Sequence, residues 1–528
     1  MMKLTRTLAA CLLLLSAGSA VAQKEKSAPP QAAPTQAMDQ DLGEIVNVNV
    51  VNVDVFVTDR SGKRIQGLTK DDFEIFENGK KVGITNFYAV DGGKARMIGD
   101  EPVPAASVPA QPGPPGPPAG LVPQLPEDQR LRLVVYIDNF NLHPFNRNRV
   151  MKELRAFLGQ KLNRDDQVML VSYDRELHVR RTFTSDPGLI NDALVELEKV
   201  SGHAVHHDSE RRDVLRNIED ARSAAEALGH ARSYAQSTFN DLSFSIDALK
   251  EMVGSLAGMP GRKAILYVSD GLQMIAGQDV YYAVQSKYGE QTTGLTESMQ
   301  FDTSRRFTEL TATANANRVT FYTIDAAGLR VYSSISAENQ TAGQGVYVDS
   351  IQISNLQAPL QMLAEKTGGV AIINANQVGP HLEKLAQDFG TYYSLGYSPT
   401  HYGDGRYYKI EVKVKQKGYQ VRHREGYRDK SPDSRMTDGT LAALNFPFEE
   451  NPFGVELEFG KGTQKDGDHF LVPVLVKIPL GKLVLVPREQ THEARVRLYI
   501  AAMDEKGATW RLSEYKGKVV VIDFWGFW

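Results

Sequence analysis

The chain has 528 residues, of which 42% are hydrophobic and 23% are charged, and its formal net charge is −4. This length and composition are typical of several globular domains and exclude a disordered or fibrous protein. The balanced charge, without long basic blocks, also argues against a nucleic-acid-binding protein, because such a protein needs a clustered basic face.

The first 22 residues have the pattern of a secretory signal peptide. A basic start precedes an apolar stretch at 8–17, and small residues at 20–22 form a cleavage signal. The polar, Ala/Pro/Gln-rich stretch 23–43 predicts a linker. We therefore expect a secreted or periplasmic protein, cleaved near Ala22, and no transmembrane segment after cleavage.

The only cysteine of the sequence, Cys11, lies inside this predicted signal peptide. Residues 8–11 superficially resemble a lipoprotein cleavage box, but the apolar stretch follows Cys11 instead of preceding it, which favours plain cleavage. The mature chain then lacks cysteine, which excludes structural disulfides, a cysteine nucleophile and a thiolate metal site.

Residues 44–92 predict a small antiparallel β domain. Apolar and polar residues alternate over 46–57, a turn follows at 59–62, and further short strands are expected at 72–77 and 84–90. The next stretch, 93–129, is rich in proline and predicts an extended linker.

From 130 to 395 strands alternate with helices. The predicted strands lie at 131–138, 167–173, 263–269, 319–324 and 369–373, and the predicted helices at 146–162, 189–200, 239–256, 303–316 and 358–367. This alternation predicts an α/β fold with a doubly wound, mostly parallel sheet, interrupted by a helical insertion near 203–236.

Two of these apolar runs, LRLVVYID at 131–138 and KAILYVSDG at 263–271, end on an aspartate. Each predicts a buried parallel strand that brings a carboxylate to the carboxyl edge of the sheet, where open α/β folds bind ligands. Asp138 and Asp270 together suggest a divalent-cation site.

The sequence around these strands resembles that of a known family. VDVFVTDRSGKRIQGLTKDDFEIFENGKKVGITNF precedes them, a helix-opening stretch contains Thr238, and YYSLGYSPTHYGDGRYYKIEVKVKQKGYQVRHREGY follows them. In this order they resemble the secreted bacterial proteins called VWFA-related, or acidobacterial VWFA-related, over about 46–427. The resemblance implies a Rossmann-like sheet of the von Willebrand factor A (VWA) type. The alternating segments on either side of it predict small, flanking β-sandwich-like domains.

The resemblance also implies a metal-ion-dependent adhesion site with the motif D-x-S-x-S, a threonine and a further aspartate. In this sequence Phe140 and Leu142 occupy the serine positions, and neither offers an oxygen to a hard cation. The expected site is therefore degenerate, for Mg²⁺ or else Mn²⁺ or Ca²⁺, and its candidate ligands are Asp138, Asn141, Thr238 and Asp270. The alternative is structural, with the two aspartates capping helix N-termini or bonding loop amides.

Other candidate chemistry is weaker. The sequence contains no phosphate-binding P-loop and no H-E-x-x-H or G-x-S-x-G motif. His203 and His207 in the insertion would share a helix face and could bind a transition metal, but so charged a stretch is more typical of a solvated helix. The tyrosines around the 403–405 turn are typical of cross-strand packing.

The remaining sequence predicts a β extension at 396–428, a spacer at 429–438 and a β-rich domain at 439–508. Residues 509–528 contain LSEYKGKVVVIDFWGFW, which resembles the first core strand of periplasmic thioredoxin-like thiol-disulfide oxidoreductases. The resemblance implies a domain truncated before its Cys-x-x-Cys loop, without the redox site.

Two functions remain open at this point. The first is an exported, non-enzymatic VWA-domain protein without catalytic residues, which contacts another protein or an envelope component through the top face of the sheet, with or without a cation. The alternative is a truncated fusion of a VWA-related protein with a thioredoxin-like oxidoreductase.

Overall fold

The computed structural model describes residues 50–91, 94–97, 130–161, 166–289, 293–330 and 344–446, and, further along the chain, 451, 453–464, 470–483, 486–488, 491–493, 499–503 and 509–511. The predicted signal peptide at 1–22, the linker at 23–43, most of the linker at 93–129 and the thioredoxin-like residues 512–528 lie outside the described residues. The chain divides into two compact units. One is Asn49–Ala442, and the described residues after it belong to the other.

The first unit contains fifteen described strands, nine complete α-helices and two short 3₁₀-helices at Lys70–Asp72 and Met299–Phe301. The strands are β1 (Val51–Thr58), β2 (Phe73–Glu77), β3 (Lys80–Val82), β4 (Asn86–Asp91), β5 (Lys94–Met97), β6 (Leu131–Asp138), β7 (Gln167–Tyr173), β8 (Leu177–Thr184), β9 (Arg262–Ser269), β10 (Val319–Asp325), β11 (Ala371–Ile372), β12 (Tyr392–Tyr397), β13 (Tyr407–Val414), β14 (Gln420–Arg422) and β15 (Gly426–Arg428). The helices are α1 (Pro144–Lys161), α2 (Pro187–Leu197), α3 (Ala204–Asp220), α4 (Ala224–Ser255), α5 (Gln278–Tyr288), α6 (Gly294–Ser298), α7 (Ser304–Ala316), α8 (Gln344–Thr367) and α9 (Gly379–Gly390).

The six-stranded sheet of this unit has the order β11-β10-β9-β6-β7-β8. All neighbours are parallel except the edge strand β8, which is antiparallel to β7. Numbered from β6, the order is 3-2-1-4-5-6, the doubly wound arrangement, and one antiparallel edge strand is common in such sheets. The predicted α/β class with a doubly wound, mostly parallel sheet is therefore confirmed.

Every residue of β6 and β9 is buried, because helices cover both faces of the sheet. One core cluster joins Leu133 and Val135 of β6 to Leu154 of α1, Leu194 of α2 and Leu382 of α9. Helices α7 and α8 make further contacts with β10. The strand order changes direction between β6 and β9, so the carboxyl ends of these two strands border the topological switch point.

Two antiparallel sheets form a sandwich-like β part of the same unit, with the orders β14-β1-β12-β4-β5 and β15-β13-β2-β3. Their common core contains Val53 and Leu395 from the first sheet and Ile75 and Val412 from the second. Buried and half-buried residues alternate along most of β1 and β2, so every second side chain points into this core.

Strand pairing connects segments that are far apart in the chain. β1, in the predicted 44–92 domain, pairs with β12 at the end of the predicted 130–395 domain, and β2 pairs with β13 in the predicted extension at 396–428. In addition, β5 lies at the start of the predicted proline-rich linker. The physical reason is that alternation identifies a strand from local sequence but does not identify a partner more than 300 residues away.

The second unit is described in pieces. Helix α10 (Pro432–Asn445) crosses the boundary between the units and occupies the predicted spacer at 429–438. The described strands beyond it are β16 (Glu456–Phe459), β17 (Thr463–Gln464), β18 (Phe470–Leu471), β19 (Val474–Lys477), β20 (Val486–Arg488), β21 (Thr491–Glu493), β22 (Ala501–Met503) and β23 (Thr509–Arg511). They form four antiparallel pairs, β16 with β19, β17 with β18, β20 with β21 and β22 with β23. Over the described ranges, none of the helices has the length and apolar character needed to span a membrane.

Candidate functional site

Three aspartates lie at the carboxyl ends of adjacent parallel strands. Asp138 ends β6, Asp270 follows β9, and Asp325 ends β10. The backbone turns sharply after Asp270, where Gly271 has a φ of +114° and a Cβ would lie only 2.8 Å from the Leu356 carbonyl oxygen. Glycine is therefore needed at this turn.

Asp138 is buried and fully engaged with protein donors. Its Oδ2 accepts hydrogen bonds from the Tyr267 hydroxyl at 2.5 Å and the Ser269 hydroxyl at 2.9 Å, and the side-chain amide of Asn141 donates at 3.0 Å. The backbone N–H of Asn141 donates to Oδ1 at 3.2 Å. Burial raises the pKa of Asp138, although these hydrogen bonds act in the opposite direction.

The two residues at the missing serine positions have packing roles. Phe140 is 1% exposed, and the centroid of its ring lies 6.1 Å from that of Tyr173 and 4.7 Å from that of His207. Leu142 is completely buried in the main core cluster. Phe140 thus packs between the sheet edge and α3, and Leu142 belongs to the core of the sheet.

Asp270 is bonded to the loop after β6 and to α1. The backbone N–H of His143 lies 2.8 Å from Oδ2, the His143 Nδ1 lies at the same distance, and the Asn146 amide donates at 3.0 Å. The other ring nitrogen of His143, Nε2, lies 3.0 Å from Asp208 on α3. Hydrogen bonds to Asp208 and Asp270 raise the pKa of His143 to about 10, so the imidazole is a cation between two carboxylates.

A cleft of about 1000 Å³ opens at this edge of the sheet. Its walls come from the loops after β6 and β9 and from α3, α4, α5 and α8. Asn141, Thr238 and Asp270 line it, whereas Asp138 lies buried beside Asn141. The structure therefore brings three of the four predicted site residues to one cleft at the topological switch point, where ligands of open α/β sheets bind.

As arranged, these four residues do not form a coordination shell for a divalent cation. Each oxygen of Asp138 and Asp270 already accepts at least one hydrogen bond, and Asn141 directs its amide nitrogen and not its oxygen toward Asp138. A cation would have to displace these donors, since Mg²⁺ takes oxygen ligands in octahedral geometry. The four-residue cation site stays a prediction.

Sequence reasoning missed Asp325 and its partners. The Asp325 carboxylate is buried, and it accepts hydrogen bonds from Arg330 at 3.0 Å and Gln357 at 2.8 Å. Arg330 also donates to the backbone carbonyl of Asp270, which connects the ends of β9 and β10. The signal was present, because VTFYTID at 319–325 repeats the pattern of an apolar run that ends on aspartate.

The charged insertion is more than a solvated helix. Arg211 on α3 is 9% exposed, and its guanidinium lies 2.6 Å from Asp279 of α5 and 3.4 Å from Asp349 of α8. His207 packs edge-on against Phe140, while His203 pairs with Asp174 at 2.9 Å. These contacts hold α3 in place as one wall of the cleft.

Comparisons with known proteins give the following matches. No model of a protein family matches the chain, and no curated protein matches it. Among solved structures, the chain is similar to an aerotolerance-related membrane protein from Bacteroides fragilis, with 12% identity over 49% of this chain and 98% of that chain and a TM-score of 0.23. It is also similar to the manganese-loaded TRAP protein of Plasmodium vivax, with 10% identity over 57% of this chain and 94% of that chain and a TM-score of 0.22.

A third similar structure is a von Willebrand factor type A protein from Catenulispora acidiphila. The identity is 10% over 60% of this chain and 71% of that chain, and the TM-score is 0.22. TM-scores of this size carry no argument about the chain, so its fold class rests on the strand order and strand directions of the six-stranded sheet.

Proposed function

We propose that this chain is an exported, non-enzymatic binding protein of the VWA type, which holds a protein or a cell-envelope component at the carboxyl edge of its six-stranded sheet. The observation that carries the proposal is the cleft of about 1000 Å³ at the topological switch point. Ligand sites of open α/β sheets lie in this position. Export rests on the signal-peptide pattern at 1–22.

The chemistry of the cleft favours binding over catalysis. His143 lies between Asp208 and Asp270, and Arg211 is paired with Asp279. A general base must be able to accept a proton, whereas an imidazole whose pKa is about 10 is already protonated near neutral pH. These charged groups therefore serve to fix the walls of the cleft.

Exposed apolar side chains lie beside the cleft. Leu329 lines it and is 63% exposed. Phe145, between the cleft residues His143 and Asn146, is 78% exposed. Exposed apolar groups next to a polar cleft are typical of protein interaction surfaces. They supply contact area, and the charged groups of the cleft would select the orientation of the partner.

Site-specific photo-crosslinking in the cells that produce the protein tests this function. A photoreactive residue replaces Leu329 or Phe145 in the full chain, and Met436, an exposed apolar residue of α10 that does not line the cleft, serves as the matched control. We expect one and the same envelope partner to be captured from positions 329 and 145 but not from 436. We also expect Leu329→Ser to weaken binding of that purified partner. Capture of nothing, or of the same molecules from all three positions, would overturn the proposal.

The alternative function, a truncated thioredoxin-like fusion, depends on 512–528, which lies outside the described residues. The cation-assisted form of binding likewise depends on the predicted ligands Asp138, Asn141, Thr238 and Asp270. Neither is needed for the proposed role of the cleft.

A further inference from the structure

A second cluster of ionisable side chains lies in the sandwich-like β part, and none of its members lines the cleft. Glu77 ends β2, His401 and Asp404 lie in the loop between β12 and β13, and Asp429 follows β15. The antiparallel pairing of β13 with both β2 and β15 brings these positions together.

The imidazole of His401 is held in one orientation by three neighbours. Its Nδ1 lies 2.8 Å from Asp429 Oδ2, and its Nε2 lies 3.1 Å from Glu77 Oε2. One face of the ring is stacked on Tyr408, with centroids 3.6 Å apart and planes 7° from parallel. The hydroxyl of Tyr408 in turn donates to Asp404 at 2.5 Å. The ring position is thus fixed before any ligand binds.

The ligand atoms of His401, Asp404 and Asp429 all lie within 4.8 Å of one another. Zinc bonds to imidazole nitrogen and carboxylate oxygen are about 2.0–2.2 Å long, so ligands around one ion are separated by roughly 3–4 Å. The three atoms therefore need to move by only a fraction of an ångström to surround a single ion. Asp404 is exposed, which leaves a route from solvent.

Two of the three carboxylates in this cluster are buried. Asp429 is completely buried and Glu77 is 8% exposed, so both carboxylates have lost most of their hydration. The cationic groups nearby are His401, the guanidinium of Arg435, which lies 3.7 Å from Asp429, and Arg406, which interacts electrostatically with Asp404. Burial lowers the pKa of His401, but its hydrogen bonds with Asp429 and Glu77 raise the pKa overall. Buried carboxylates need cationic partners, and a dication supplies more charge than a protonated imidazole.

Glu77 has the position of an orienting group. Its Oε1 accepts hydrogen bonds from Tyr397 at 2.7 Å and Tyr427 at 2.9 Å, which leaves Oε2 to face His401 Nε2. A histidine that ligates a metal through one nitrogen usually donates its other N–H to a carboxylate, and this pair has that arrangement. The Nδ1 side, which faces Asp429, is then the metal-binding side.

We propose that His401, Asp404 and Asp429 form a Zn²⁺ site, with Glu77 as the positioning residue that holds the imidazole by its Nε2–H. A mixed nitrogen and carboxylate set suits zinc, whereas Mg²⁺ and Ca²⁺ prefer oxygen ligands alone. Binding releases the proton from Nδ1, because only the neutral imidazole coordinates a metal. The site would brace the 398–406 loop against the ends of β2 and β15.

Calorimetric titration of the full chain with Zn²⁺ tests the site, and Co²⁺ substitution gives a visible absorption band as a second readout. Asp404→Asn is the main variant, because Asp404 is exposed. The asparagine oxygen can still accept from the backbone N–H of Arg406, and its amide nitrogen can donate to the Tyr408 hydroxyl. His143→Gln is the matched control, since His143 also lies between two carboxylates. Mg²⁺ serves as the control cation.

We expect one Zn²⁺ per chain, with affinity that falls at lower pH as the imidazole retains its proton in competition with the metal, and no comparable binding of Mg²⁺. Asp404→Asn should weaken Zn²⁺ at least tenfold and remove the Co²⁺ band, while His143→Gln should leave both unchanged. The buried isostere Asp429→Asn, checked for folding by circular dichroism, should behave as Asp404→Asn does. The absence of saturable Zn²⁺ binding would overturn the proposal, as would equal affinity in Asp404→Asn or a loss in His143→Gln.

Discussion

Replacement of Arg211 by methionine tests whether a buried ion pair holds the insertion helix α3 on the domain. The side chain of Arg211 is 11% exposed, that of Asp279 is 0% exposed and that of Asp349 is 9% exposed. Methionine keeps much of the apolar stem but removes the guanidinium. Asp279 then keeps a buried charge without its cation, and its Oδ1 already has no hydrogen-bond partner among the described residues.

The size of the effect follows from this burial. Removal of one partner from a buried ion pair destabilises a protein by about 3–5 kcal/mol, because the remaining charge is uncompensated. Arg216 of the same helix provides the control, since its pair with Asp213 is 3.7 Å long and both side chains are mostly exposed. Exposed pairs of this kind contribute roughly 0–1 kcal/mol, so Arg216→Met should be close to the original protein.

Urea unfolding followed by far-ultraviolet circular dichroism measures the free energies, and hydrogen exchange reports protection along α3. Arg211→Met should lower both, and the double variant Arg211→Met/Asp279→Asn should recover part of the loss, because it removes the stranded charge. If Arg211→Met and Arg216→Met unfold within about 1 kcal/mol of each other, α3 is not held by this pair, and the wall of the cleft is loosely attached.

Two further predictions concern the sheet edge. Because the pKa of His143 is raised from its ordinary 6.5 to about 10, its ion pairs should stabilise the fold fully below pH 6.5 and lose this contribution as the pH rises through 10. The melting temperature of the original protein should therefore exceed that of His143→Gln at low pH and converge with it at high pH. A difference in melting temperature that stays constant with pH would contradict the ion pairing. Phe140→Ser restores one motif hydroxyl but removes a buried ring, so it should lower the free energy of unfolding in urea by about 3–5 kcal/mol. We expect no Asp138-dependent Mg²⁺ binding by this variant in calorimetry. Clear Mg²⁺ binding that is lost again when Asp138→Ala is added would show that the cation site is intact apart from the hydroxyl.

The centre of the parallel sheet could be predicted from sequence because its strands are buried on both faces. Uninterrupted apolar runs identified β6 to the residue and β9 to within one residue. The edge strand β8 was missed, since no residue along it is fully buried and its sequence, LHVRRTFT, is largely polar. Local hydrophobic patterns report burial, so they work best where burial is complete.

Local hydrophobic patterns do not predict contacts between segments that are distant in the sequence. Arg211 lies 68 residues from Asp279 and 138 residues from Asp349, so nothing in the local sequence distinguishes it from the solvated arginines around it. The sequence therefore predicted a solvated helix for the insertion, although the insertion forms a wall of the cleft. The same holds for His401 and Glu77, which are 324 residues apart and meet only through the pairing of β2 with β13.

The strand-ending aspartates lie where the sequence places them, at the ends of β6 and β9, but their hydrogen-bond partners could not be predicted from the sequence. By the resemblance, oxygen ligands were expected from the loop after Asp138, where Phe140 and Leu142 stand in place of hydroxyls. In the structure the hydroxyls next to Asp138 come from the neighbouring strand, through Tyr267 and Ser269. Two hydroxyls from β9 and two N–H donors of Asn141, one from its side chain and one from its backbone, therefore satisfy the carboxylate without a cation, while Phe140 supports α3. With the aspartates engaged inside the protein, the proposed recognition at this edge would fall to the exposed side chains beside the cleft, which is why the crosslinking positions lie there.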